Sequence, residues 1–573
     1  MEYKSENRIC QNCQQDFTIE SEDFNFYEKM KVPPPTFCPE CRFQRRATWR
    51  NERTLYKRNC DLCNKKFISM HDKDARFPVY CKECWDGDNW NRDKFEKDYD
   101  FAKPFFEQFD ELHQKVPRIG IWQRSTINCP YSNMCGESKN VYLSISVVAG
   151  SENVFYSRIV DKSSDIFDCY SIKECENCYE NIESEKNYNC QNLFLSRSCL
   201  DSFFLVDCVN CSNCILSYNL RNKQFYIKNQ QYSKEEYFKE LEKLNLGDKE
   251  YRQKAIEEFE NICKKAIYRY ANIYKSIDSS GNNILNSRNI KKCFDVYNSE
   301  NCKYVYRGVS FKDGMDITFG GWSELFYEYT TGSMNGYNVK FSYSAVDQAR
   351  NVEYADSCSC CSNVFGCISL KNKNYSILNK QYTKEEYKKM IEKIKKQMNE
   401  IPYMDKRGRV YKYGEFFPAE LSCFAYNETM AQDFFPLTKE QALKEGYKWK
   451  EKEKKNFEIT LKATEIPKNI KDVDDKILEE VLGCVHEGKC DHRCYTAFRL
   501  TQDEFNFYKK NNIPIPNECA NCRYSRLFAK ILPPKFWHRR CMKEGCENEF
   551  ETSYAPDRPE IVYCEKCYQQ EVY

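Results

Sequence analysis

Cysteine pairs at both ends of the chain have the spacing of metal ligands. Near the amino terminus, Cys10 and Cys13 precede Cys38 and Cys41, and Cys60 and Cys63 precede Cys81 and Cys84. A Cys-x-x-Cys turn lets two thiolates approach one ion, and two such turns complete the sulfur tetrahedron that zinc accepts without strain. Toward the carboxyl terminus the arrangement recurs as Cys490 and Cys494 with Cys519 and Cys522, then Cys541 and Cys546 with Cys564 and Cys567. The interval from Cys13 to Cys38 equals that from Cys494 to Cys519. Cys41 to Cys60 likewise matches Cys522 to Cys541, and Cys63 to Cys81 matches Cys546 to Cys564. The flanking blocks DFNFYEKMKVPPPTFCPECR and EFNFYKKNNIPIPNECANCR repeat as well. These matches predict a duplicated two-zinc module and four structural zinc sites. Closed four-thiolate shells leave no position for a reactive water, so their expected role is folding rather than catalysis. Two turns are widened, Cys490 to Cys494 and Cys541 to Cys546, and His492 competes for ligation in the first.

Cationic residues follow the cysteines. In RFQRRATWRNERTLYKR, Arg42, Arg46, Arg50, Arg53 and Lys57 fall three or four apart, which on a helix makes one basic face with Trp49 and Tyr56 nearby. The second copy has a shorter set, Arg523, Arg526 and Lys530, before Pro533-Pro534 stops any helix. A cationic face on a zinc-stiffened base suits phosphate contacts. The competing reading is a solvated helix face that balances the negative zinc–thiolate centres.

The middle of the chain must position these ends. From Asn140, the positions Asn153, Asp165, Asn177, Asn189, Asp201 and Asn213 follow at one step of thirteen and then steps of twelve. The next residue is apolar or cysteine, with Ser202 the exception. A later series runs Asn289, Asn301, Asp313, Leu325, Asn338, Asn351, Asn363, with Leu325 breaking the polar rule. Such a period is too short for helical hairpins and suits a β-solenoid, in which each coil stacks on the last and equivalent residues form columns. Cysteines 169, 175, 178, 190, 199, 208, 211 and 214 then line or flank the stack as small, reduced space-fillers. Each array ends alike, in Ser233-x-x-Glu236 and Thr383-x-x-Glu386 capping boxes that start helices covering the stack. The first helix is expected to continue with a break at Gly247.

The expected fold is therefore multidomain and mainly β: a duplicated short-coil β-solenoid with flanking helices, bracketed by paired zinc ribbons at both termini. The predicted segments are ribbons over 1–87 and a helical connector over 88–128. A first solenoid over 129–230 is followed by a capping helix region over 231–275. A second solenoid over 276–380 precedes a capping helix over 381–402. An α/β connector over 403–483, mobile around EKEKKN, leads to ribbons over 484–573.

The chain has 573 residues, 88 basic and 86 acidic, so whole-chain charge selects neither nucleic acid nor membrane. MEYKSENRIC lacks the apolar run of a secretion signal and no stretch is apolar enough to span a bilayer, which predicts a cytoplasmic protein. Thirty-five cysteines in a reducing compartment point to metal rather than disulfides. Phosphate loops, nucleophile elbows and zinc-protease helices are absent from the sequence, and no small-molecule substrate is indicated.

The CPECRFQRR and NKQYTKEEY blocks resemble a group of uncharacterised cysteine-rich zinc-ribbon proteins found mainly in bacteria with reduced genomes. That resemblance covers most of the chain and implies zinc at the matching cysteines, with no particular activity or partner. The function expected from sequence is a non-catalytic nucleic-acid-binding protein, RNA slightly before DNA, gripping through the basic faces. Alternatives are a protein-interaction or self-association scaffold and, third, a cysteine-dependent enzyme.

Overall fold

One residue in three turns left-handed along the first repeat array. Asn153, Tyr156, Ile159, Lys162 and Asp165 have φ of 56°, 54°, 60°, 47° and 54°, and the rhythm continues through Asn177, Asn189 and Asp201. Each such residue bends an extended chain, and four bends per twelve residues return it beside its starting point. The strands then pair in parallel with the segment twelve residues on: Ser164 opposite Glu176, Ile166 opposite Cys178, Phe167 opposite Tyr179. The second array repeats this, Arg288 facing Glu300 and Ile290 facing Cys302. Where the sequence step is thirteen, one residue is added between bends. In the first array it is Gly150, following Ala149 with φ of 81° and 58°.

The computed structural model describes residues 3–344, 347–451 and 457–573; most of the EKEKKN segment, expected to be mobile, lies outside the described residues. Strand predominates, and in sequence the helices precede, separate and follow the two parallel arrays. A left-handed bend costs a non-glycine residue about 1–2 kcal/mol, so the repeated bends need repeated compensation. Part comes from a side-chain ladder at the Asn/Asp positions. Asn140 donates to Asn153 at 3.0 Å, Asn153 to Asp165 at 2.9 Å and Asn177 to Asn189 at 2.9 Å. The second array has the same ladder from Asn289 to Asn301 and from Asn301 to Asp313, both at 3.0 Å. Leu325 interrupts it because its side chain joins a buried cluster with Tyr27 and Met30 of the amino-terminal segment.

The residue after each bend points inward, so four inner columns run through the stack. Val154, Val160, Ile166, Cys169, Ile172, Cys175 and Cys178 all fall on these positions and share one core. The first array fills these positions with modest side chains, whereas the second also packs Phe311, Phe326 and Tyr329 there, beside Gly308, Gly314, Gly320 and Gly336. Polar members satisfy the backbone: Ser157 Oγ accepts from Cys169 N at 2.9 Å, and Asn181 Oδ1 from Leu193 N at 2.9 Å. Ser202, the exception in its sequence column, accepts from Cys214 N at 3.1 Å and donates to Leu200 O at 2.7 Å. Inner thiols are shielded, and burial pushes Cys135, Cys302 and Cys367 up to about 12, the opposite of an activated nucleophile. Iodoacetamide applied to the native, metal-loaded chain should therefore modify exposed Cys360 well before Cys178, Cys190 or Cys302. Peptide mapping reads this, and early labelling of an inner cysteine would contradict the packing.

Both arrays finish in a short antiparallel return, Gln224–Ile227 with Gln230–Gln231 and Asn374–Ile377 with Lys380–Gln381. Helices Lys234–Glu242 and Lys384–Glu400 follow, each with its capping box formed. The helical region is broken around Gly247 as expected: a second helix, Lys249–Lys265, begins at an Asp248 cap and packs Phe259 and Ile262 against the array. The connector helix is Phe105–His113, and the capped helix of the later connector is Lys439–Lys444.

The chain forms two units, Met1–Ile121 with Ala271–Glu451, and Trp122–Tyr270 with Lys452–Tyr573. Each cysteine module thus shares a unit with the array nearer the opposite end of the chain: the amino-terminal module with the second array, the carboxyl-terminal module with the first.

Candidate metal centres

Each module contains two cysteine tetrads built to one plan. Antiparallel hairpins Glu6–Ile9 with Asp16–Ile19, and Tyr56–Asn59 with Lys66–Ser69, present the first two cysteines at the turn. The third cysteine caps a helix: Cys38 before Pro39–Ala47, Cys81 before Lys82–Asp86, Cys519 before Ala520–Phe528 and Cys564 before Glu565–Val572. A helix amino terminus favours negative charge, which suits thiolate ligands. The second cysteine pair of each site therefore sits on a helix, where the sequence pattern alone suggested a second ribbon turn.

Four groups bring four sulfurs together: Cys10, Cys13, Cys38, Cys41; Cys60, Cys63, Cys81, Cys84; Cys484, Cys494, Cys519, Cys522; and Cys541, Cys546, Cys564, Cys567. The third corrects the sequence assignment, because Cys484 takes the place given to Cys490. In every tetrad the backbone N–H of the third cysteine donates to the sulfur of the first at 3.3 Å. The pairs are Cys38 to Cys10, Cys81 to Cys60, Cys519 to Cys484 and Cys564 to Cys541. Cys484 also follows its strand, Leu482–Gly483, directly, as Cys10 follows Glu6–Ile9.

Sulfur separations fit a metal. Cys13 to Cys38 and Cys63 to Cys81 are 3.8 Å, Cys519 to Cys522 is 3.6 Å, and Cys546 to Cys564 is 3.9 Å. A tetrahedron with metal–sulfur bonds of about 2.3 Å has edges of about 3.8 Å. Crowding also splits the thiols: a hydrogen bond from Cys484 holds Cys519 down at about 4, and the same contact raises Cys484. The residues present would hold one ion per tetrad, with all positions filled by protein.

The cationic residues lie elsewhere than expected. Helix Pro39–Ala47 ends before Arg50, and Lys57 stands exposed on strand Tyr56–Asn59, so the five do not share a helical face. Arg42 and Arg46 are each 1 % exposed. Arg42 Nε donates to Asp316 at 2.9 Å, while Arg46 donates to Glu328 at 2.9 Å and to Asp316 at 3.3 Å. Arg45, which the sequence reading passed over, joins Glu328 at 2.8 Å and Glu415 at 2.9 Å. Arg50 pairs with Glu52 at 2.6 Å over the Phe319 ring, and Arg53 lies 3.5 Å from Asp433. In the other unit, Arg523 is 1 % exposed and donates to Asp168 at 3.0 Å, with Glu504 at 3.5 Å. Arg526 donates to Glu180 at 2.6 Å, and Lys530 lies over the Phe259 ring.

Of the predicted basic stripes, Arg42, Arg46, Arg523 and Arg526 are thus turned onto carboxylates that the parallel arrays supply. Burial raises the Asp316 carboxyl, and Arg42 and Arg46 only partly offset it. Burial also acts on Glu180, but Arg526, Arg252 and Lys530 outweigh it and hold the group down at about 2. Arg42 and Arg523 occupy matching positions, each directly after the last cysteine of a tetrad and each paired to an aspartate at a left-handed bend, Asp316 or Asp168. Docking a metal module onto an array therefore uses the same contact twice.

No protein-family model matches this sequence, and none of the curated proteins matches it. Fold and site together define a strand-rich protein with metal-compatible cysteine tetrads near both ends. Among the described residues, no helix is long and apolar enough to cross a membrane.

Proposed function

We propose that the chain is a non-catalytic, zinc-dependent scaffold: two short-coil β-solenoids, each clamped by a two-zinc module. The observation that carries this reading is the pairing of Arg42 with Asp316 and of Arg523 with Asp168, which commits the cations beside the metal sites to holding the modules in place. Zinc suits the all-sulfur shells and their separations, and a filled tetrahedron gives it a folding role. Solenoid coils are supported by the parallel register of twelve or thirteen residues and the Asn ladder. A reducing, cytoplasmic setting suits so many unpaired thiols. Nucleic-acid binding through Arg42, Arg46 or Arg523 would require breaking buried ion pairs first, which disfavours it.

Titration of the metal-loaded chain with labelled single-stranded RNA and duplex DNA at physiological salt, repeated at higher salt, separates the two readings. Expected is nothing tighter than the non-specific range of about 10⁻⁴ to 10⁻⁶ M. Saturable binding below about 10⁻⁷ M with a steep salt dependence would favour the nucleic-acid reading instead.

A further inference from the structure

The third tetrad differs from the first by an insertion. Two residues separate Cys10 from Cys13, whereas nine separate Cys484 from Cys494, and two residues then lead to the returning strand in both copies. The added stretch, within Val485–Arg493, carries His486, Cys490 and His492. The turn between Cys541 and Cys546 is also widened, but its Met542, Lys543, Glu544 and Gly545 include neither histidine nor cysteine. Widening alone therefore does not bring ligands.

The inserted loop folds back onto the tetrad. Left-handed residues at Glu487, Gly488 and Arg493 coil it, and Glu487 N donates to Cys484 O at 2.9 Å. Val485 N to Asn517 O at 2.8 Å and Asn521 Nδ2 to Arg493 O at 2.9 Å tether its two ends. As a result, one ligand atom from each of His486, Cys490, His492 and Cys522 lies within 4.8 Å of the others. Cys490 Sγ is 3.7 Å from Cys522 Sγ, again a tetrahedral edge. His492 Nδ1 is shielded from solvent with no hydrogen-bond partner, a cost that a metal bond would remove. His486 Nε2 faces the Glu518 carboxylate at 4.0 Å, and its Nδ1 points back to the tetrad, 3.9 Å from Cys484 Sγ.

We propose that the insertion builds a second metal site, so that Cys522 bridges two divalent ions. Cys484, Cys494 and Cys519 complete one shell; His486, Cys490 and His492 complete the other. A thiolate sulfur has lone pairs enough for two metals. Sharing also lowers charge: five thiolates around two divalent ions leave one net negative charge, where an isolated four-thiolate site leaves two. The mixed sulfur and imidazole set selects zinc or another ion that accepts both donors.

This inference rests on the tetrads holding metal, and metal analysis of the purified full-length chain separates the two claims. Expected are five ions per chain, one for each ligand group, and a loss of one in both the H486A/H492A and C490S variants. Cobalt-substituted native protein should also show a mixed nitrogen–sulfur absorption component, at higher energy than the four-thiolate bands, that H486A/H492A lacks. Four ions in the native chain, with neither variant losing metal, would overturn the shared site and leave the tetrads standing. A chain without stoichiometric metal would overturn both. The native count decides the matter even if a variant fails to fold.

Discussion

Replacing Arg523 by methionine is expected to destabilise its unit by about 3–5 kcal/mol, the usual cost of leaving a buried charge without its partner. Asp168 would lose its cation, and Glu504 would keep hydrogen bonds from Tyr156 at 2.9 Å, Tyr508 at 2.8 Å and the Thr501 backbone N–H at 3.4 Å. Arg42→Met should act likewise through Asp316 in the other unit, although Arg46 still reaches that carboxylate at 3.3 Å. Urea unfolding of the metal-loaded variants gives the comparison. The double variant R523M/D168N should recover much of the loss, because it removes the stranded charge together with its partner. Equal stability of R523M and the parent chain would mean that the ion pair does not fasten the module.

Metal removal should have the larger effect. Structural zinc contributes on the order of 10 kcal/mol per site to folding. The hairpins it joins have strands of two to four residues, too short to stand alone. A strong chelator should therefore unfold both terminal modules and lower the thermal midpoint sharply, and re-added zinc should restore it. Calorimetry with and without chelator reads this; superimposable transitions would remove the metal from the stability of the protein.

Repeated intervals between cysteines made the tetrads legible, since ligand spacing is a local property of turns and helix starts. Cys484 escaped because the insertion moved it ten positions from Cys494, and Cys490 offered a closer match. Its place directly after a short strand was the available signal. Of the five cations whose spacing suggests one helical face, Arg42 and Arg46 share helix Pro39–Ala47, but spacing says nothing about where the helix ends or what covers it. The covering carboxylate of Asp316 lies 274 residues from Arg42, and only the tertiary fold brings the two together.

The array offered a finer signal than the twelve-residue step. Cys169, Cys175, Cys178, Cys190, Cys199, Cys208, Cys211 and Cys214 are all separated by multiples of three. That is the spacing of the inward residue after each bend. The Asn column marks one bend in four; the other three hold residues such as Tyr156, Ile159 and Lys162 in some coils and Asn or Asp in others, as in the Asn283–Asp295 and Asn286–Asn298 pairs. Leu325 departs from the Asn column because the amino-terminal segment covers it, a dependence between distant segments that periodicity does not carry.

Hydrogen exchange followed by mass spectrometry, on metal-loaded and chelated protein, tests most directly whether metal modules clamp the arrays. Expected is loss of protection in helices Pro39–Ala47 and Ala520–Phe528, and with it in the array strands around Asp316 and Asp168 that their arginines hold. Unchanged protection around both aspartates, while the modules themselves unfold, would contradict the clamp.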